Sequence, residues 1–353
     1  MTKLTVLRTS GRPAEVGAAH GSAFATEIRE YLSSRIELSR EGTDLSTADV
    51  VAIADTMVDA HHDYDTEIFD EMVAMADAAG ISPGEAVIVG GYTDFIDTVR
   101  AVAKGTAVED TCTSVITPDA KSGGNGFLAQ TWDMNASATP HVFMLDVSPN
   151  NAPRALVFTT HGALGQIGMN KAGIAVGINN LTVTDGAVGV TWPFVVRKAL
   201  RQMTFDAALA CITDAKLAGG HNFLLFDRFG RGASIEATTT RTVIEDLGTE
   251  SLVHTNHCLF PETQQVEAER PPDLDENSKR RLKDATAMVE NNAVHTVGSL
   301  MALFRDEGSV CRRPEPPFNY ESSGAVIMRP GTLDLWACWG LPSENEFEHF
   351  SLT

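Results

Sequence analysis

A cysteine, a carboxylate and two strand ends that carry asparagine follow one another along this chain in an order that could support chemistry on an acyl group. Cys112 stands in Glu109-Asp110-Thr111-Cys112-Thr113-Ser114, and Asp133 closes Gln130-Thr131-Trp132-Asp133. Gly168-Met169-Asn170-Lys171-Ala172-Gly173 turns into Ile174-Ala175-Val176-Gly177-Ile178-Asn179-Asn180, a hairpin ending in a polar pair. Leu252-Val253-His254-Thr255-Asn256-His257-Cys258 reads as a strand ending in Asn256. A thiolate is a strong nucleophile, and Asn side chains supply fixed donors. Taken singly, none of these is diagnostic. A cysteine at a strand start is more often a small buried hydrophobe. An asparagine at a strand end is usually a turn residue, and an isolated aspartate an exposed carboxylate.

The elements that must position these residues fall into two blocks. After an opening strand at Leu4–Leu7, Phe24, Ile28, Leu32 and Ile36 recur every four residues and predict a helix face. Ser46 precedes a second helix carrying Val50, Ala54, Met57 and Val58, and a third runs near Ile68–Ala79 to Gly80. Ser82-Pro83-Gly84-Glu85 places an N-cap, a proline at N1 and a glutamate at N3, which starts a fourth. From Cys112 to Leu181 the pattern changes to short apolar runs punctuated by Gly, Asn, Pro and Ser, as in an antiparallel sheet. Gly123-Gly124-Asn125-Gly126 is a hairpin turn within it, without the lysine of a phosphate-binding loop. Helices are predicted at Trp192–Met203, Phe205–Asp214, Ser278–Glu290 and Val297–Arg305, with strands between and after them. Pro261–Asn277, rich in Pro and Glu, reads as a long surface loop. The sum is a layered α+β architecture in one unit, 1–353, with no repeat or linker.

Bulk properties narrow the partners. A net charge of −20 disfavours nucleic acid and anionic membranes, which repel it. Residues 1–111 hold 20 acidic against 8 basic residues, which reads first as a set of solvated helix faces and secondarily as favouring a cationic substrate. No run of apolar residues is long enough to span a bilayer, and no secretory leader is visible, so a cytoplasmic enzyme is expected. The five cysteines are odd in number and form no CxxC pair. Self-association is left open.

In combination and order, the Cys112, Asp133, Asn180 and Asn256 segments resemble the acyl-coenzyme A:6-aminopenicillanic acid acyltransferase family. That family is an autoproteolytic cysteine branch of the N-terminal nucleophile hydrolases. Gly11-Arg12-Pro13-Ala14-Glu15-Val16-Gly17-Ala18-Ala19-His20-Gly21, Asn222–Ile235, Ser309-Val310-Cys311-Arg312-Arg313-Pro314 and Gly340-Leu341-Pro342 extend the likeness across the chain. The resemblance implies a four-layer αββα sandwich and self-cleavage between Thr111 and Cys112 into an α segment, 1–111, and a β segment, 112–353. Cys112 would then be a nucleophile activated by its own α-amine. Asn256 is implied as the first oxyanion donor and Asn180 as the second, with Asn179 one register step away, and Asp133 as the group that orients the amine. The implied activity is hydrolysis of a small N-acyl amide, without a cofactor. Passing the acyl group to an amine is the alternative, with a small-molecule amide or acyl donor as partner in either case. Thr111 departs from the glycine frequent before the nucleophile, and its branched side chain restricts the bond to be cut. Ser322 and Ser323 compete for the place of a late serine that assists processing.

Other readings are weaker. His254 and His257 project to opposite strand faces and make a poor zinc pair. His61-His62 with Asp63 and Asp65 reads as a solvated helix end. No signature of a papain-type protease is present. A binding module that kept the fold without the chemistry would tolerate loss of Cys112, yet every proposed position holds a competent residue.

Overall fold

Two short sequence signals set the first helical layer. Gly80 adopts the left-handed conformation (φ 74°) that ends one helix, and Ser82 caps the next by accepting from Glu85 N while Glu85 reaches back to Ser82 N. This computed structural model describes residues 4–103, 111–316 and 319–353. Strand β1 (Val6–Gly11) is followed by helices α1 (Pro13–Ala23), α2 (Ala25–Arg40), α3 (Thr47–Asp55), α4 (Val58–Tyr64), α5 (Thr66–Ala79), α6 (Pro83–Gly90) and α7 (Tyr92–Ala103). Strands β2 (Ser114–Thr117), β3 (Phe127–Asn135), β4 (Val142–Pro149), β5 (Ala155–Thr160), β6 (Ile167–Asn170) and β7 (Ile174–Leu181) come next. Helices α8 (Trp192–Ala199) and α9 (Phe205–Thr213) precede β8 (Gly220–Asp227), β9 (Gly232–Ala237), β10 (Thr242–Asp246) and β11 (Leu252–His254). Helices α10 (Pro261–Gln264), α11 (Pro272–Glu290) and α12 (Val297–Phe304) lead to β12 (Tyr320–Arg329), β13 (Asp334–Trp339) and β14 (Glu348–Ser351).

The strands form an eight-stranded sheet, β1-β4-β5-β6-β7-β8-β9-β10, and a six-stranded sheet, β11-β2-β3-β12-β13-β14. Strands β2 and β3 of the smaller sheet lie against β7 and β8 of the larger one. Helices α1, α8 and α9 contact strands of the larger sheet, and α11 and α12 contact the smaller. The layers are therefore α, β, β, α, and alternation along each strand explains why. In β2 and β3, Ile116, Leu128 and Trp132 turn inward to the main core, whereas Val115, Phe127 and Ala129 turn outward to Ala285, Val289, Leu300 and Phe304 of α11 and α12. Each buried Val, Leu, Ile or Phe among these contributes roughly 1.5–3 kcal/mol.

A polar bridge fixes the two sheets in register beside the site. Beyond Val176 the edge of β7 is no longer paired with β6, and Gln130 of β3 takes up the free peptide. Its Oε1 accepts from Ile178 N at 2.7 Å and its Nε2 donates to Ile178 O at 2.9 Å. Glycine at 177 leaves room for this bridge, since a Cβ there would stand 2.5 Å from Gln130 Oε1 and push the amide out of place.

The Pro261–Asn277 loop expected from sequence is partly helical: Pro261 starts α10, Pro272 starts α11, and Leu274 and Asn277 are buried. Proline and acidic residues there serve helix starts. His61, expected on a solvated end, is also buried, with Nε2 2.9 Å from Thr191 Oγ1. Among the described residues, no single helix is long and apolar enough to cross a membrane.

Two buried histidines make the helical layer sensitive to acid. Burial pushes His20 and His61 from 6.5 down to about 4. Between those values the unfolded chain binds more protons, so this part of the stability is complete above pH 6.5 and is lost as pH falls toward 4. The decline should reach about 1.4 kcal/mol per pH unit for each histidine. Urea unfolding at pH 7 and pH 5 should show it, and His61→Gln should remove one histidine's share of the slope.

Candidate active site

The register of β2 on β3 decides what surrounds the cysteine. Ser114 pairs with Gln130, and the bridge Thr111↔Asp133 continues that register past the end of β2. Alternation puts Thr111, Thr113 and Asp133 on the α11 side of the sheet, and Cys112 with Ser114 on the side facing the larger sheet. Contacts agree: Arg281 of α11 donates to Thr113 Oγ1 at 3.1 Å, and Ser114 Oγ donates to Asn179 Oδ1 of β7 at 2.6 Å. Cys112 is 1% exposed, within the main core.

Both ends of the Cys112 backbone are held. Its N–H donates to Asn256 Oδ1 at 2.6 Å, and its carbonyl accepts from Arg281 Nη1 at 2.6 Å. Arg281 Nη2 donates to the same Asn256 oxygen at 3.0 Å, and its Nε donates to Asn277 Oδ1 at 2.8 Å. Two donors converging on one Asn256 atom identify it as the oxygen. The Asn256 amide nitrogen therefore points away from Cys112 N and donates to the Asn180 carbonyl at 3.1 Å.

Electrostatics follow from burial. Arg281 is fully enclosed, and burial pushes it down to about 10, opposed by Asp133 and Cys112. It remains a cation at neutral pH. Asp133 is also fully enclosed. Burial pushes its carboxyl up to about 6, while Arg281, the Ser322 hydroxyl, Arg312 and the Thr131 hydroxyl pull it back. Asp133 is thus a full acceptor only above about pH 6. Any step that uses the carboxylate should accelerate as pH rises through 6, and Asp133→Asn should give a lower rate without the inflection near 6. Rates measured from pH 5 to 8 check this; an unchanged inflection in the variant would contradict it.

Cys112, Asp133 and Asn256 thus lie in one cluster, whereas the two β7 asparagines diverge. Asn179 faces inward, accepting from Ser114 and from Asn222 Nδ2. Asn180 offers its carbonyl to Asn256. Its side chain shares the sheet face of its partner His221, whose ring lies 5.2 Å from that of Trp192 on α8. Of the two serines, Ser322 is paired with Asp133, and its hydroxyl accepts from Arg312 N at 2.9 Å. Ser323 is instead engaged by Thr139 at 2.9 Å.

Sequence reasoning missed Arg281 and Arg312. Arg281 was hidden in Ser278-Lys279-Arg280-Arg281-Leu282-Lys283, which looks like an exposed charged face. The available signal was its spacing: Leu274, Ser278, Arg281, Ala285 and Val289 form one buried stripe, so this arginine occupies a core position. A cavity of about 430 Å³ is lined by Leu274, Asn277, Arg280, Arg312 and Glu315 among others, and reaches toward the cluster through Asn277, the acceptor of Arg281 Nε. A larger one, about 620 Å³, lies between α4, α8 and α9 and includes none of the cluster.

The chain is similar to several known proteins. The family model described as acyl-coenzyme A:6-aminopenicillanic acid acyl-transferase matches residues 120–322, which contain Asp133, Asn256, Arg281 and Ser322 and begin just after Cys112. The acyl-coenzyme A:6-aminopenicillanic-acid-acyltransferase 40 kDa form of Emericella nidulans is 23% identical over 253 residues, covering 71% of this chain and 68% of that protein. Two solved structures are similar at lower identity. Conjugated bile acid hydrolase from Clostridium perfringens has a TM-score of 0.44 at 10% identity, over 69% of this chain and 97% of that one. Penicillin V acylase from Agrobacterium tumefaciens has a TM-score of 0.42 at 12% identity, over 68% and 86%.

Proposed function

Because this chain belongs to the acyl-coenzyme A:6-aminopenicillanic acid acyl-transferase family, and is an enzyme of acyltransferase or amidohydrolase type, we propose that it is a self-cleaving cysteine amidohydrolase acting on small N-acyl amides. The observation that carries this reading is the hold on Cys112. Its nitrogen and its carbonyl are fixed by Asn256 and Arg281, while its side chain lies on the opposite face from Asp133.

In the uncut chain the Cys112 thiol adds to the Thr111 carbonyl carbon. The Thr111–Cys112 C–N bond breaks, the thiol proton passes to the departing nitrogen, and a thioester forms. Water hydrolyses the thioester, leaving a carboxylate on Thr111 and a free cysteine at the head of 112–353. The new α-amine has an unperturbed pKa of about 7.7–8, close enough to neutrality to take the thiol proton without a histidine. Asn256 Oδ1, which accepts the Cys112 N–H before cleavage, holds the same nitrogen afterwards. Asp133, across from the vacated Thr111 position, is the second acceptor for the amine. With a substrate amide the thiolate forms a second thioester, and the amine returns its proton to the leaving nitrogen. The Asn256 amide has one N–H on Asn180 and a second that can serve the oxyanion.

The likeness to an acyltransferase favours a second reading, in which an amine rather than water resolves the substrate thioester. One experiment addresses both. Incubation with a panel of N-acyl amides should add the acyl mass to the 112–353 fragment, at Cys112. Adding a primary amine should leave free acid as the main product for a hydrolase and the new amide for a transferase. No acyl adduct with any amide or thioester donor would sink the covalent mechanism.

A further inference from the structure

We infer that His254 is a positioning residue for Asn256, and through Asn256 for Cys112; the inference rests on the reading of Cys112 as nucleophile. Strand β11 ends at His254, so the peptides on either side of Asn256 lie beyond its ladder with β2. Side chains take over where the ladder stops. The Thr255 carbonyl faces His254 Nδ1 at 2.8 Å, and Asn256 N donates to Ser278 Oγ at 3.0 Å. The Asn256 carbonyl accepts from Arg270 Nη1. Both peptide planes that meet at the Asn256 Cα are therefore fixed, and so is the direction in which its side chain leaves the backbone. Ser278 lies one helical turn before Arg281, so one face of α11 holds the Asn256 backbone through Ser278 and its side-chain oxygen through Arg281.

The ring of His254 is itself oriented from the other sheet. Its Nε2 lies 2.9 Å from Glu236 Oε1 on β9, and both residues are buried. Glu236 also accepts from Leu259 N at 2.6 Å and from the Thr263 hydroxyl, tying down the segment that follows Asn256. Burial alone would raise the Glu236 carboxyl; His254, Thr263 and Leu259 N outweigh it and hold the group below the usual range. Both ring nitrogens of His254 face oxygen atoms, one on the backbone it shares with Asn256 and one on the other sheet. Glu236 thus aims the ring, and the ring aims the Thr255–Asn256 peptide.

Two substitutions separate positioning from a merely structural ion pair. An asparagine amide nitrogen occupies the place of Nδ1, and a glutamine amide nitrogen the place of Nε2. His254→Asn keeps the donor to the Thr255 carbonyl and loses Glu236, whereas His254→Gln does the reverse. Positioning predicts that His254→Asn retains self-cleavage and kcat within about tenfold of wild type. His254→Gln should lose about 100-fold in both, the scale of a misplacement of roughly 1 Å, with KM unchanged. Ser278→Ala, which releases the same peptide from the α11 side, should lose kcat in the same KM-neutral way, and it serves if the histidine variants do not fold. Equal rates in the two histidine variants, a better rate for His254→Gln, or an unaffected Ser278→Ala would overturn the inference. A wild-type protein that neither cleaves nor turns over amides is a different failure: it removes the nucleophile, and with it anything to position.

Discussion

Arg281→Met should abolish self-cleavage and lower stability by about 3–5 kcal/mol, the usual consequence of removing one partner from a buried charged network. Four contacts disappear together: those to the Cys112 carbonyl, Thr113 Oγ1, Asn256 Oδ1 and Asn277 Oδ1. Asp133, fully buried, loses a compensating cation, and its carboxyl should rise further above about 6. Arg281→Lys keeps the charge but not the planar fork that reaches Cys112 and Asn256 at once, so it should recover more stability than cleavage. Urea unfolding, with fragment analysis of the purified protein, measures both. Cleavage of Arg281→Met at the wild-type rate would show that the hold on the Cys112 carbonyl is incidental.

The second large effect concerns Asn256, whose two side-chain atoms have separate tasks. Asn256→Ala removes both and should reduce turnover by about 10²–10³-fold, or ~2.7–4 kcal/mol of barrier. Asn256→Asp retains an oxygen for the Cys112 N–H and a partner for Arg281, but has no N–H for an oxyanion. It should therefore preserve self-cleavage better than turnover, whereas Asn256→Ala impairs both. Single-turnover cleavage of the precursor and steady-state rates with an N-acyl amide separate the steps. Equal loss in the two assays for Asn256→Asp would mean that the acceptor oxygen has no task of its own.

Local patterns carried much of this architecture. The Ser82-Pro83-Gly84-Glu85 start and the Gly80 stop could be read directly because each acts within a few residues. The change from fourfold periodicity to short apolar runs near residue 110 placed the first strands of the sandwich. The pairing of those strands was less accessible. Nothing in Gly177 announces that Gln130 needs the space above it, and nothing local to Asn179-Asn180 says which one faces the nucleophile. That depends on which sheet face each occupies, and one residue of register reverses the answer. Arg281 was obscured for another reason: a charged residue on a buried stripe becomes conspicuous only once the stripe is known to face a cysteine backbone. His254, read mainly as half of an unconvincing zinc pair, belongs to the same class. Its Glu236 partner stands 18 residues earlier and comes from the other sheet.

The central claim is that Cys112 becomes a new N-terminus, and intact mass under denaturing conditions tests it most directly. Wild-type protein should separate into pieces of roughly 12 and 26 kDa, the shares of 37.9 kDa that 1–111 and 112–353 represent, while Cys112→Ala stays whole. A wild-type chain that remains a single species after long incubation, alongside an identical Cys112→Ala, would contradict the account, because no α-amine would exist to act as the base.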